Sequence, residues 1–173
     1  MALRLSDDEG RLPPMNKRMV IRKILAELTR ELDVLLRAAQ AAHAEATHEQ
    51  SKAENKYDTR GLEASYLARG QSKQARELRA AIEDFEKLDS RKFGPGEAID
   101  VGALVDLEHQ GERLVYFIGP RGGGTEVAHD KCEVLVITPK SPLGEQLQGK
   151  KQGDRLQLTI AGERSEYHVL TVE

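Results

Sequence analysis

Three carboxylates lie in a short polar stretch within the first half of the chain, at Glu54, Asp58 and Glu63. Carboxylates at the end of a thin arm can carry a hard cation such as Mg²⁺ into the site of another protein. Mg²⁺ takes one or two carboxylates and shares its other positions with water and substrate phosphate. A metal held in this way activates water and screens the charge on phosphate. The alternative interpretation is that these acids are ordinary solvated charges, since basic residues alternate with them over 52–60.

The other groups that could do chemistry indicate no catalytic pocket, so the chain is not expected to be an enzyme in its own right. His43 and His48 are five residues apart, which places them on different faces of a helix and argues against a zinc site. Cys132 lies within a candidate strand and is interpreted as a small buried hydrophobe. The glycine-rich run over 119–124 lacks the Gly-Lys-Ser/Thr ending of a phosphate-binding loop, and Gly-Lys-Lys at 149–151 lacks the hydroxyl.

Two series of residues with heptad spacing predict two long helices. The first series is Leu25, Leu28, Leu32, Leu35, Ala39, Ala42 and Ala46. The second series is Leu67, Gln71, Gln74, Leu78, Ala81, Phe85 and Leu88. Each is a narrow apolar stripe that needs a partner, and the sequential neighbour gives an antiparallel coiled-coil hairpin over 15–93. Its tip is expected at about 50–66, where the seam has thinned from Leu to Ala.

Other arrangements of these helices remain open. The two helices could pack against the second half of the chain as an ordinary α+β domain. The first helix could instead form a parallel homodimeric coiled coil. A basic row on the second helix could either track RNA or be a solvated helix face. The row consists of Arg69, Lys73, Arg76 and Arg79.

Residues 94–173 are predicted to form a small β domain with one short helix, which makes the fold class α+β. Apolar residues that alternate with period two indicate five strands. These candidate strands cover residues 101–107, 114–118, 134–138, 156–160 and 167–170. Ser141 as the cap and Pro142 in the first turn predict the short helix over 141–147.

The charge of the chain changes at Gly94-Pro95-Gly96, a helix-breaking turn that marks the predicted domain boundary. Residues 1–93 carry 18 basic and 16 acidic side chains, a net charge of +2, whereas residues 94–173 carry 8 and 13, a net charge of −5. The total of −3 excludes a polycation that wraps nucleic acid by itself. Residues 1–14 show no periodicity and are predicted to be a disordered leader.

The composition also bears on the compartment. No apolar run approaches the roughly 18 residues of a membrane span, and the acidic start lacks the apolar stretch of a secretory signal. The single cysteine cannot form an internal disulfide, which fits a reducing compartment. We therefore expect a cytoplasmic protein with no membrane partner.

The stretch from Val136 to Asp154 contains an extended motif, Ser-Pro-Leu-Gly-Glu-Gln-Leu-Gln-Gly-Lys-Lys-Gln-Gly-Asp. It resembles the Ser-Pro-Leu-x-x-x-Leu-x-Gly-Lys-x-x-Gly-Asp run of the Gre family of bacterial transcription elongation and transcript-cleavage factors. The segments that begin at Ile99 and Leu114 resemble the first two strands of that family. The resemblance covers about 15–173 and implies an antiparallel coiled-coil arm joined to a β domain similar to FK506-binding proteins (FKBP-like).

The resemblance also implies a function. In the family, the globular domain docks at the rim of the RNA polymerase secondary channel, and the arm reaches the active centre. Tip acids there help to hold a Mg²⁺ of the polymerase, which then cleaves the 3′ end of backtracked RNA. For this chain it implies that Asp58 and Glu63 are the acids that assist catalysis and share the transient Mg²⁺. It implies no stably bound cofactor, with RNA polymerase as the partner and nascent RNA met only within that complex. The expected polymerase contacts in the motif are Ser141, Pro142, Leu143 and Lys150.

The leading hypothesis is therefore a factor that stimulates cleavage of backtracked transcripts. The tip departs from the family pattern, in which two acids are three residues apart, because Asp58 and Glu63 are five apart. This departure favours the alternative, a secondary-channel regulator that does not stimulate cleavage. A third hypothesis is an FKBP-like prolyl isomerase or holdase chaperone. The aromatic residues available for its pocket are Phe93, Tyr116, Phe117 and Tyr167.

Overall fold

The computed structural model describes residues 16–47, 60–94, 96–129, 132–160 and 162–173. Within these ranges the chain forms two long helices, one short helix and six strands. The helices are α1 (Lys17–Thr47), α2 (Arg60–Glu86) and α3 (Pro142–Leu147). The strands are β1 (Leu104–His109), β2 (Glu112–Ile118), β3 (Glu126–His129), β4 (Cys132–Ile137), β5 (Arg155–Ile160) and β6 (Glu163–Val172). This arrangement confirms the α+β fold class.

The two long helices run antiparallel, as the heptad seams predict. Near one end of the pair, Arg18 Nε donates to Ser90 Oγ at 3.3 Å. Further along, Leu28 and Leu78 belong to the same buried cluster. Helix α1 has 31 residues and is therefore about 46 Å long. The described part of the first 93 residues is thus a long helical hairpin, and α1 and α2 pair with each other.

The six strands form one mixed sheet in the order β3-β4-β2-β1-β6-β5. Strands β2 and β4 pair in parallel, and the other neighbours are antiparallel. The parallel pair requires a crossover, which β3 and its flanking loops provide. Strand β3 is absent from the sequence prediction because it has four residues and its pattern contains only one apolar inward side chain, Val127.

The helical hairpin and α3 cover opposite faces of the sheet. On one face, the base of the hairpin packs on residues such as Phe117 and Val136 through Ile24, Leu28 and Phe85. On the other face, Leu147 of α3 is fully buried in a second cluster. Of the three arrangements considered for the helices, the antiparallel hairpin and the α+β packing therefore each apply to a different part of them. The base packs on the sheet as in an α+β domain, and the remainder pairs only with its neighbouring helix.

Several sequence predictions fall outside the described residues. They include the disordered leader over 1–14 and most of the tip, since residues 48–59 are not described. The boundary at residues 94–96 stays a prediction, although one buried cluster joins residues from both sides of it. No helix among the described residues is long and apolar enough to span a bilayer.

Candidate functional site

The described part of the arm extends well beyond the sheet. Val20 packs at the base, whereas Thr47 ends α1 at the opposite end of the hairpin. Thr47 follows Val20 by 27 positions, which corresponds to about 40 Å at 1.5 Å per residue. Of the two predicted tip acids, Asp58 is not among the described residues, and Glu63 is described only as part of the backbone of α2. Their roles in metal binding and catalysis stay predictions.

A buried lysine anchors the base of the arm to the sheet domain. Lys17 Nζ donates to Gly102 O at 3.0 Å and also to Arg91 O. The ammonium lies 4.8 Å from the centroid of the Phe93 ring, and the Arg91 guanidinium lies 3.9 Å from the same ring. Burial, together with the nearby charge of Arg91, lowers the pKa of Lys17 to about 8. Hydrogen bonds thus join the first turn of α1 to the segment after α2, at Arg91, and to the loop before β1, at Gly102.

The glycine-rich loop between β2 and β3 receives the other helix of the arm. A side chain at Gly119 would lie 2.7 Å from Val136 Cγ1 and 2.9 Å from Phe85 Cζ, so only glycine fits beneath the Phe85 ring. Gly122 has a φ of 71° and lies against Phe85 and Leu28. The glycine-rich run over 119–124, which resembles a phosphate loop only in composition, is therefore a surface on which Phe85 and Leu28 of the arm pack.

The first part of the extended motif builds and docks α3. Ser141 caps the helix as predicted: its Oγ donates to Thr138 O at 2.8 Å and accepts from Gly144 N at 3.1 Å. A side chain at Gly144 would lie 1.9 Å from Thr138 O, so glycine is required there. Leu147 is fully buried. These contacts explain several motif positions by folding alone.

The end of the motif forms tight turns that connect α3 to β5. Ile99 N donates to Lys150 O at 2.7 Å, and Gly149 N donates to Ile99 O at 3.1 Å. Asp154 Oδ2 accepts from Lys151 N at 2.8 Å. These hydrogen bonds involve the backbone of Lys150 and not its side chain, which is half-buried.

The four predicted polymerase contacts lie around α3. Ser141, Pro142 and Leu143 begin the helix, and Lys150 follows its end. Pro142 is exposed, whereas Leu143 and Lys150 are half-buried. The Ser141 hydroxyl forms hydrogen bonds within the chain, and Leu143 packs against the buried cluster beneath α3. The role of these four residues in binding polymerase stays a prediction.

The aromatic residues that would line a prolyl isomerase pocket do not converge. Phe117 is fully buried on the face of the sheet that the arm covers. Phe93 and Tyr167 are buried on the opposite face, with Tyr116 packed against their cluster. Among the described residues, the sheet therefore separates Phe117 from the other three, and the four side chains do not surround one cavity.

Two features of the described residues are absent from the sequence predictions. Asp106 and Arg113 form a partly buried ion pair at 2.6 Å, and burial raises the pKa of Asp106 despite that partner. The period-two pattern places Asp106 on the opposite face of its strand from Val105 and Leu107, so the pattern does not indicate that Asp106 is buried. The second feature is a groove between α1 and α2, partly lined by Arg76 and Arg79. No group of three His, Cys, Asp or Glu side chains that could hold a metal occurs in the part searched, the described residues.

Proteins with similar sequences match this chain over most of its length. It is 30% identical over 157 residues to the transcription inhibitor protein Gfh1 of Thermus thermophilus, which covers 87% of this chain and 90% of that protein. It is 32% identical over 123 residues to Gfh1 of Thermus aquaticus, covering 67% of this chain and 71% of the relative. No family model matches the chain.

Among solved structures, those of a Gfh1 protein and of a GreA/GreB protein are similar to this chain. A crystal structure of GreA factor homolog 1 (Gfh1) of Thermus thermophilus is 26% identical and covers 86% of this chain and 94% of that one, with a TM-score of 0.35. The elongation factor GreA/GreB from Nitrosomonas europaea is 16% identical and covers 68% of this chain and 94% of that one, with a TM-score of 0.33.

Proposed function

Because the chain belongs to the Gre family of transcription elongation factors, we propose that it binds RNA polymerase at the secondary channel and inhibits transcription without stimulating cleavage. The observation that carries this proposal is the 30% identity to a transcription inhibitor over 90% of that protein's length. A relationship of this extent covers the arm and the sheet domain together. It therefore supports a shared mode of action better than a single shared motif would.

The shape of the molecule supports insertion into a channel. Each helix with its side chains is about 10–12 Å wide, so the hairpin is a narrow rod. The arm packs on the sheet through Phe85 and Leu28, and about 28 Å of helix α1 remains between Leu28 and Thr47. The sheet domain is wider than the rod. It would stop at the rim, where the surface formed by Pro142, Leu143 and Lys150 can meet the polymerase.

The tip acids support inhibition more than cleavage. Two carboxylates that share one Mg²⁺ must approach the ion together, and Mg²⁺ demands near-ideal octahedral geometry. Asp58 and Glu63 are five residues apart, in contrast to the spacing of three in the family pattern. An arm that occupies the channel without completing such a metal site would obstruct it.

Cleavage stimulation is the second candidate, because Asp58 and Glu63 supply two carboxylates at the end of the arm. In that case the two acids would bind Mg²⁺ of the polymerase, which supplies the activated water.

The experiment uses purified bacterial RNA polymerase with two substrates, a promoter template and a stalled, backtracked elongation complex. We expect the wild type to reduce RNA synthesis on the first and to leave RNA length unchanged on the second. Asp58→Ala and Glu63→Ala test the tip, and Asp33→Ala, an exposed acid on the shaft of α1, is the matched control. Shortening of the RNA by the wild type, lost in Asp58→Ala but kept in Asp33→Ala, would establish the second candidate. A factor that fails to bind polymerase would contradict both.

A further inference from the structure

The upper part of the arm contains an open groove between α1 and α2. Its volume is about 640 Å³, and it begins at Leu35, which also packs against the buried cluster at the base of the arm. The residues on α1 are Leu35, Leu36, Ala39, Ala42 and His43. The residues on α2 are Ala68, Gln71, Ser72, Ala75, Arg76 and Arg79. Five of the eleven residues that line the groove are Ala or Ser, whose small side chains leave space between the two helices.

The floor of the groove is apolar, and its surroundings are basic. Leu35, Leu36 and Ala39 lie along the floor on the α1 side. The segments that form the groove, 35–43 and 68–79, contain five Lys or Arg residues and one acid, for a net charge of +4. The basic residues are Arg37, Arg69, Lys73, Arg76 and Arg79. Arg76 and Arg79 are exposed and lie directly in the lining.

These properties favour an acidic amphipathic helix over RNA as the occupant. Proteins that hold single strands stack the bases on aromatic side chains, and the lining of the groove contains no Phe, Tyr or Trp, with His43 as its one aromatic ring. An apolar floor also offers nothing to phosphate groups. An amphipathic helix would bury aliphatic side chains on this floor and place carboxylates beside the arginines.

The dimensions of the groove set the length of that helix. On α2 the lining extends from Ala68 to Arg79, which is about 16 Å at 1.5 Å per residue. A helix of three turns covers this distance and presents apolar side chains at positions i, i+3 or i+4, and i+7. At about 30 Å³ per water molecule, such a helix would displace on the order of 20 waters from 640 Å³.

We propose that this groove binds an acidic amphipathic helix of RNA polymerase, so that the arm and the polymerase form a three-helix contact inside the channel. The proposal rests on the polymerase binding proposed above and names the surface responsible for holding the arm. It assigns the basic row on α2 to a protein contact.

Photocrosslinking in the complex with whole polymerase tests the identity of the occupant. The photoreactive residue p-benzoylphenylalanine replaces Ser72, which is exposed and lines the groove. The control places it at Val34, which is 56% exposed and lies about 140° around α1 from Ala39. We expect the Ser72 position to crosslink to a polymerase peptide with apolar residues at helical spacing and acids between them, and the Val34 position not to.

Charge reversal tests the role of the basic side chains. Arg76→Glu combined with Arg79→Glu should weaken polymerase binding at least about ten-fold at low salt, because both charges would repel an acidic helix. Lys87→Glu reverses an exposed charge just beyond the end of α2 and outside the groove, and should change affinity less than about two-fold. Circular dichroism of the exposed-residue variants confirms that each keeps the helical content of the wild type.

The outcomes separate this inference from the proposed function. A crosslink from Ser72 to RNA, to a second copy of the factor or to a polymerase segment that is not acidic would overturn the inference. So would unchanged affinity of the double charge-reversal variant, or the absence of any crosslink while polymerase stays bound. A wild type that does not bind polymerase at all would contradict the proposed function, and this inference with it.

Discussion

Replacement of Phe85 by alanine is the most direct test of how the arm is seated on the sheet. Phe85 is 1% exposed, and its ring centroid lies 5.8 Å from that of Phe117 at an interplanar angle of 34°. Truncation of a buried phenylalanine costs about 3–5 kcal/mol, and an aromatic pair contributes about 0.5–1.5 kcal/mol beyond its buried area. Gly119 and Gly122 lie beside the ring and have no side chains with which to fill the cavity. We therefore expect Phe85→Ala to lower the free energy of unfolding by about 4 kcal/mol, within that range.

Urea denaturation monitored by circular dichroism measures this loss. Val34→Ala is the control, since Val34 is 56% exposed and its truncation should change the free energy by less than about 0.5 kcal/mol. A loss below about 2 kcal/mol for Phe85→Ala is less than the usual cost for such a core residue. It would refute the close packing of Phe85 between the arm and the sheet.

A second substitution tests the geometry of the same contact. Gly119→Ala alone should destabilise the protein, because its methyl group would lie 2.9 Å from Phe85 Cζ and 2.7 Å from Val136 Cγ1. The methyl group would also lie 2.8 Å from Arg121 O, so removal of the Phe85 ring relieves one of three clashes. The double variant should therefore lose less free energy than the sum of the single variants, and a sum that is simply additive would contradict the contact.

Other expectations follow from the base of the arm and from α3. Because the pKa of Lys17 falls from 10.5 to about 8, the unfolded chain binds a proton between these values that the folded chain does not. The stability of the wild type relative to Lys17→Met should thus rise from pH about 8 to 10.5, and a flat difference in urea denaturation would contradict this. Ser141→Ala should cost about 1 kcal/mol through the lost cap. Gly144→Ala should cost more, since its methyl group would lie 1.9 Å from Thr138 O; thermal melting that ranks the two in the reverse order would refute this account. Arg121→Ala removes an exposed ion pair with α2 and should lower the free energy of unfolding by less than about 1 kcal/mol in the same melts.

The sequence predicted the main elements because their signals are local. The spacing of Leu25, Leu28 and Leu32 specifies a helical stripe wherever the helix lies, and period-two alternation does the same for a strand. Ser141 and Pro142 predicted the start of α3 from capping chemistry alone. The motif near α3 identified the family, because many of its positions are constrained by turns and caps within a few residues of one another.

Other features depended on contacts between distant residues. Strand β3 is too short to show a pattern, and it is held by β4 and by the contact of Lys23 Nζ with Ala128 O at 2.6 Å. The groove in the arm depends on which small residues of α1 face which small residues of α2. That pairing follows from the register of the hairpin, which no single segment encodes.

The sequence by itself determined the two long helices, the α+β class, the capped α3 motif and the resemblance to the Gre family, because each depends on the order of neighbouring residues. Only the tertiary structure decided that the base of the arm shares a core with the sheet and that Lys17 is buried at their junction. It also decided that Phe85 packs against a glycine-rich loop. These features require residues far apart in the chain to meet, and burial and close packing arise only when they do.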